Sequence, residues 1–298
     1  MLFDRQKRLL ALVDALGGEV GNLDFQKLLF LYCMDVEQAP IYEFVPYKYG
    51  GFSFTSYADK RRLIERGLLD EGEREWRLTN TGRAAAVIAA PVRATMDSFA
   101  KCHAQLRGDA LVAEAYRRYP FYAIRSEMAP RVLANDAYTL QAIQLAKPVR
   151  PAPGICTIGY EGQSLEGYLN RLLRAGVAVL CDVRRNPLSR KYGFSKNTLA
   201  RACEGLGITY QHLPELGIAS DERQTLVTQA DYDALFENFR RDSLPQQTSA
   251  LEEISHLVAV GQLVALTCYE ANPLRCHRLC IALELEKRFG AIFAPRQI

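Results

Sequence analysis

Apolar positions in the first third of the chain recur at helical spacing. Between Arg5 and Leu16 they fall at Leu9, Leu12, Val13 and Leu16, and the run stops at Gly17-Gly18, which predicts a helix with a glycine terminus. A second helix is expected after Asn22, with Asp24 as its cap and Phe25, Leu28, Leu29 and Tyr32 on one face. An aromatic stretch, Tyr42 to Phe54, leads to a third helix over Ser56 to Arg66, which carries Lys60, Arg61, Arg62 and Arg66 and ends at Gly67. Leu68-Leu69, an acidic turn, and Trp76 to Thr79 then read as a two-stranded hairpin. From Ala84 to Leu145 the pattern stays helical.

Past the segment AKPVRPAPG, Ala146 to Gly154, the period changes. Three prolines without apolar periodicity suit an extended connector, and the domain boundary is placed there. Downstream, short apolar strand-like runs at 155–158, 177–181, 209–213 and 263–267 alternate with amphipathic stretches at 165–175, 196–206, 231–260 and 279–289. That alternation predicts an α/β domain with a parallel sheet, over residues 155–298. The expected organisation is therefore a mainly helical module at 1–83, a helical bridge at 84–145, a linker at 146–154 and the α/β domain.

Composition changes this picture little. The chain has 298 residues, 49% hydrophobic and 24% charged, which fits two globular units and excludes fibrous, collagen-like or disordered classes. The longest apolar runs fall well short of a membrane span, and the charged start MLFDRQKRLL is unlike a secretory signal, so the protein reads as cytoplasmic. Eight scattered cysteines are then expected to be reduced thiols. A net charge of +3 permits a polyanionic partner without requiring one, so the placement of basic residues has to carry that argument.

In the first half, helix, helix, basic helix and hairpin resemble the winged-helix modules at the front of many bacterial regulators and toxin–antitoxin or defence proteins, over Met1 to Arg83. The resemblance implies nucleic-acid binding, DNA more than RNA, with Lys60, Arg61 and Arg62 on the helix that enters the groove. Acidic Asp70, Glu71, Glu73 and Glu75 at the hairpin tip oppose phosphate contact, and a protein-interaction module of the same shape is the alternative. Within the bridge, RRYPFYAIRS could stack a nucleotide strand, but packing between helices is the simpler reading.

In the second half every polar cluster follows a strand, and in open parallel sheets ligands bind outside the carboxyl ends of the strands. Tyr160, Glu161 and Gly162 follow the first run, with glycines able to turn backbone amides toward an anion. Asp182, Arg184 and Arg185 follow the second, with Arg190, Lys191 and Lys196 further along; His212 ends the third; Cys268 and Glu270 end the fourth, with Cys276, His277 and Arg278 opening the last helix. Tyr160, Glu161, Asp182, Arg184, Arg185, Cys268 and Glu270 are expected to line one mouth, with the N-terminus of the last helix, around Pro273 to Cys276, pointing into it.

The stretches TIGYEG, DVRRNP, RKYGFSK, ITYQHLPELG and CYEANPLRCHR, in that order, are similar to the signature of a widespread prokaryotic family described as a domain of unknown function, number 488, over Ile155 to Pro295. The resemblance implies a compact α/β domain whose motif residues are functional, and brings no reaction with it.

Three chemistries compete for this mouth. Cys268 could act as a nucleophile, but the arginine expected six residues on is displaced to Arg275 and the loop lacks cradling glycines. Zinc could use Cys268, Cys276 and His277, with Cys280 or Glu270 as a further ligand, but on a helix His277 is rotated away from Cys276 and no CxxC knuckle exists, so no metal or cofactor is assigned. Carboxylates flanked by arginines fit best: Glu270 or Asp182 as acid/base, Arg184, Arg185, Lys191 and Arg278 holding an anion, and Tyr160, Glu161, Gly162, Cys268 and His277 in support. The expected function is hydrolysis or transfer at a nucleotide or nucleic acid, with a phosphorylated small molecule as a further ligand class. The competing expectation is a DNA-binding regulator that senses such a ligand without catalysis. For Asp182, simple pairing with Arg184 or Arg278 is the plain structural alternative.

Overall fold

The computed structural model describes residues 1–298 except 38, 40, 73, 220, 221 and 223–225, and divides into two units, Met1–Lys147 and Pro148–Ile298. The expected acidic contact Glu73 lies outside the described residues.

The first unit runs α1 (Asp4–Ala15), β1 (Glu19–Gly21), α2 (Asn22–Asp35), the hairpin β2 (Val45–Tyr47) and β3 (Gly50–Phe52), α3 (Phe54–Glu65) and β4 (Glu75–Arg77). Helices α4 (Asn80–Ala85), α5 (Ala90–Cys102), α6 (Gly108–Arg118), α7 (Ala129–Val132) and α8 (Ala137–Leu145) complete it. Leu9, Leu12 and Val13 are buried as their spacing predicts. In contrast, α2 does not bury one face: every residue from Phe25 to Cys33 is buried, because α6 and the strands β1, β3 and β4 all pack against it. Asp24 accepts from the amide of Gly108 instead of capping its own helix, whose N-cap is Gly21.

The stretch 84–145 shares this core rather than standing apart, through Met96, Phe99, Leu111, Val112 and Tyr116. The aromatics of RRYPFYAIRS pack inward, with Tyr119 and Tyr122 set edge-on against Phe30, and Arg117 and Arg118 pair with Asp136 and Asp35. Leu69 and Leu78 form an antiparallel bridge where the hairpin was expected, while β4 takes β1 as its ladder partner, Val20 facing Trp76.

Lys60 does not serve a groove. Its ammonium is buried, donates to Asn22 Oδ1 (2.9 Å) and to the carbonyls of Gly72 (3.3 Å) and Glu75 (2.6 Å), and stands 5.0 Å over the Trp76 ring. With its donors spent on Asn22 and two backbone carbonyls it is a brace for the turn, whereas Arg61 and Arg62 are exposed. Glu75 is held by Arg77 at 2.6 Å.

Lys27, also buried, donates to Gly51 O at 3.0 Å, and desolvation pulls its pKa from 10.5 down to about 7. The folded chain therefore releases a proton near neutrality that the unfolded chain keeps until far higher pH. Between those limits the unfolded state binds more protons, so the stability of the first unit rises with pH, by up to about 1.4 kcal/mol per unit. Chemical denaturation at pH 7 and pH 9 should show this rise in the wild type and a flatter profile in Lys27→Met. Parallel profiles in the two proteins would exclude Lys27 as the cause.

The second unit is a five-stranded parallel sheet. Its strands are β5 (Gly154–Gly159), β6 (Val179–Asp182), β7 (Thr209–His212), β8 (Leu263–Cys268) and the short β9 (Arg296–Gln297), in the order β7-β6-β8-β5-β9. Connections are made by α9 (Leu165–Ala175), α10 (Lys196–Gly205), α11 (Gln229–Asn238), α12 (Thr248–Ala259) and α13 (His277–Phe289). All residues of β5, β6 and β8 are buried, as expected for central parallel strands covered on both faces. The helical excursion expected over 231–260 is divided around Leu244-Pro245, since proline lacks the amide and disfavours helical geometry in the residue before it. The strand β9, two residues long, carries no periodic signal.

Candidate functional site

The registers bring the strand ends level. Gly159 is paired with Cys268, and Asp182 with both Thr267 and His212, so the chain leaves β5, β8, β6 and β7 at one edge of the sheet. Gly159 has a steric reason. A Cβ there would lie 1.8 Å from the carbonyl oxygen of Glu270, so only glycine lets the post-β8 loop lie across the end of β5. The amide of Glu161 then donates to Tyr269 O (2.9 Å), and the amide of Ala271 to the Glu161 carboxylate (2.9 Å). Glu161 thus clamps this loop. Gly217 does the same for the next turn, since a Cβ there would meet the amide nitrogen of Arg185 at 2.1 Å.

Arg278, expected to hold an anion, is fully buried and donates to the carbonyls of Glu270 (2.5 Å) and Ala271 (3.0 Å). It is a strut beneath Glu270, and no face of it lines the cleft. Asp182 is likewise withdrawn: wholly buried, it accepts from Arg184 Nε (2.8 Å), the Arg184 amide (3.2 Å) and Tyr210 OH (2.6 Å). Its oxygens are committed inside the fold, which argues against acid/base duty. Arg184 also donates to Tyr160 OH (2.8 Å) and Phe194 O (2.9 Å), and Tyr160 stacks on Phe194 with ring centroids 4.3 Å apart. Burial opposes its charge, yet the hydrogen bond and field of Asp182, aided by Tyr160, hold the guanidinium above its ordinary pKa. His212 bridges Arg184 O (2.9 Å) and Lys196 Nζ (3.1 Å). Lys191 lies by Tyr160 O and the Phe194 ring, its pKa lowered by burial against the pull of Glu161.

What remains is a cleft of ≈ 350 Å³ bordered by Tyr160, Arg184, Arg185, Arg190, Cys268, Tyr269, Glu270 and His277. Arg185 and Arg190 are exposed, and Tyr269 is 46% exposed. Of the residues expected at the mouth, Tyr160, Arg184, Arg185, Cys268, Glu270 and His277 border this space. Asp182, Arg278, Glu161, Gly162 and Lys191 do not border it. Arg190 and Tyr269 were not assigned a role from sequence. Their signal was position alone: a charged and an aromatic residue in loops just past buried strands.

At the floor, Cys268 and His277 are both buried. The Cys268 thiol faces two acceptors, Glu270 Oε2 at 3.3 Å and His277 Nδ1 at 3.8 Å. The other ring nitrogen, Nε2, lies 2.9 Å from Val183 O. Because a carbonyl can only accept, Nε2 carries the proton and Nδ1 presents its lone pair to the sulfur. Cys276 is the extended N-cap of α13 (φ −138°, ψ 130°), outside the helix, so the helical rotation that sets His277 apart from it does not apply. Burial and the adjacent Cys268 thiol push the pKa of Cys276 up.

Residues 164–285 match the family model described as Domain of unknown function DUF488. That span holds DVRRNP, RKYGFSK, ITYQHLPELG and CYEANPLRCHR, while TIGYEG precedes it. No curated protein and no solved structure matches the chain. No described helix is long and apolar enough to cross a membrane.

Proposed function

We propose that the cleft of the second unit binds a nucleotide or the end of a nucleic acid by its phosphate and catalyses hydrolysis or transfer there, with Glu270 moving the proton. One observation carries this reading: the exposed guanidinium groups of Arg185 and Arg190 border the same small cleft as the Glu270 carboxylate. Arg184 is paired with Asp182, and among the described lining residues the guanidinium groups of Arg185 and Arg190 stand against the one carboxylate of Glu270, which favours an anion. Planar guanidinium forks suit phosphate oxygens, and the volume is that of a small-ligand site. Tyr269, half-exposed beside them, offers a stacking face for a base.

For acid/base work Glu270 is better placed than Asp182. Arg278 fixes its backbone and Glu270 borders the cleft, its carboxylate accepting from the Cys268 thiol, whereas Asp182 is wholly buried against Arg184 and Tyr210. In the first unit a winged-helix reading rests on three helices, the β1–β4 ladder and the Leu69–Leu78 bridge after α3, with exposed Arg61 and Arg62 on α3 as the residues to meet duplex phosphates.

The test is incubation of the full chain with nucleotides and with DNA and RNA oligonucleotides, followed by product analysis and equilibrium binding. Turnover of a phosphate-bearing class is expected. Arg185→Ala/Arg190→Ala should weaken its binding at least about tenfold and reduce the salt slope by about two contacts. Arg61→Ala/Arg62→Ala should weaken duplex binding alone. Binding without turnover would make the cleft an effector site, and binding unaffected by the Arg185/Arg190 change would remove the phosphate reading altogether.

A further inference from the structure

The floor of the cleft gathers three metal-ligating side chains. The ligand atoms of Cys268, Cys276 and His277 all lie within 4.8 Å of one another, and all three residues are buried. For tetrahedral zinc, with Zn–S about 2.3 Å and Zn–N about 2.0 Å, neighbouring ligand atoms stand about 3.5–3.8 Å apart. The Cys268 Sγ to His277 Nδ1 separation of 3.8 Å is already at that value.

We infer that Cys268 Sγ, Cys276 Sγ and His277 Nδ1 bind a zinc ion whose fourth position opens into the cleft. Two sulfurs and an imidazole are the donor set that selects zinc over magnesium or calcium, which take oxygen ligands. His277 is prepared for this role. Its Nε2–H is engaged by Val183 O, which fixes the ring and turns Nδ1 toward Cys268 Sγ, the usual support of a metal-bound histidine. The three ligands arrive from rigid places: the last residue of β8, the N-cap of α13 and the first residue of that helix.

Three protein ligands with a side open to a ligand cleft is the arrangement of a catalytic zinc rather than of a closed structural one. Cys268 and His277 border the cleft, and Glu270, with Oε2 3.3 Å from Cys268 Sγ, stands beside the open position. Both cysteines keep their thiolates on the metal, and their two protons pass to solvent on binding. The inference rests on these side chains and not on the identity of the cleft's ligand, so it stands or falls separately from the proposed reaction.

The experiment is metal analysis of the full chain, purified under reducing conditions without chelator, then stripped and titrated with zinc or cobalt(II). About one zinc per chain is expected. The cobalt form should show thiolate-to-metal charge-transfer absorption with the intensity of two sulfur ligands. Cys276→Ala and His277→Ala should each weaken zinc binding at least about tenfold, whereas Cys280→Ala, one turn along α13, should leave it unchanged. Should either ligand variant fail to fold by circular dichroism, the cobalt spectrum of the wild type decides. A folded wild type that takes up no metal at micromolar free zinc overturns the inference. So does a cobalt spectrum without sulfur ligation, zinc affinity equal in all variants, or a Cys268–Cys276 disulfide that survives the reducing purification.

Discussion

Glu270→Gln is expected to slow turnover of the cleft's ligand by about 10²–10⁴-fold while changing its Kd by less than about threefold. The substitution keeps the shape and hydrogen-bonding reach of the side chain and removes its capacity to take a proton. Because Arg278 holds the Glu270 carbonyl and not its carboxylate, the loop should keep its path in the variant. A loss confined to kcat is therefore the signature of proton transfer. A rise in Kd with kcat unchanged would assign Glu270 to binding alone, and unchanged kinetics would remove it from the mechanism. The same substitution leaves Cys268, Cys276 and His277 in place, so zinc content and rate give separate readings.

The second large effect concerns stability. Asp182→Ala should destabilise the second unit by about 3–5 kcal/mol, because it strands the buried guanidinium of Arg184 and the hydroxyl of Tyr210 without their acceptor. Side-chain exposures of 0% for Asp182 and 7% for Arg184 leave little room for water to compensate. Replacing both partners, as Asp182→Leu/Arg184→Met, should cost distinctly less than Asp182→Ala, since no uncompensated charge remains. Denaturant unfolding followed by circular dichroism measures both. If Asp182→Ala costs under about 1 kcal/mol, the pair is not a structural element and the acid regains its standing as a candidate for chemistry.

Residue by residue, the sequence is informative about where chemistry concentrates and less so about which atoms perform it. Strand ends at 159, 182, 212 and 268 are legible because an apolar run followed by a polar cluster marks both a buried strand and its exit. The pairing of Asp182 with Arg184 was available as the plain reading of an acid two residues from an arginine, and it is the one found. Arg278 was misassigned because a conspicuous arginine in CYEANPLRCHR invites an anion, whereas its partners are carbonyls of a loop brought beside it only by folding. Lys60 failed for the same reason, its acceptors being backbone oxygens of Gly72 and Glu75. Cys276 is extended at the N-cap of α13, so the helical rotation expected between it and His277 is not found.

By itself, then, the sequence determined the alternation of strands and helices in the second unit and the set of strand-end residues, since these follow from local periodicity, turn chemistry and the burial each segment demands. Tertiary structure alone decided which of those residues face the cleft. The order β6-β8-β5 interleaves strands far apart in the chain and sets Gly159 against Cys268. Whether a polar side chain meets a ligand, a carboxylate or a carbonyl depends on which backbone that interleaving places opposite it.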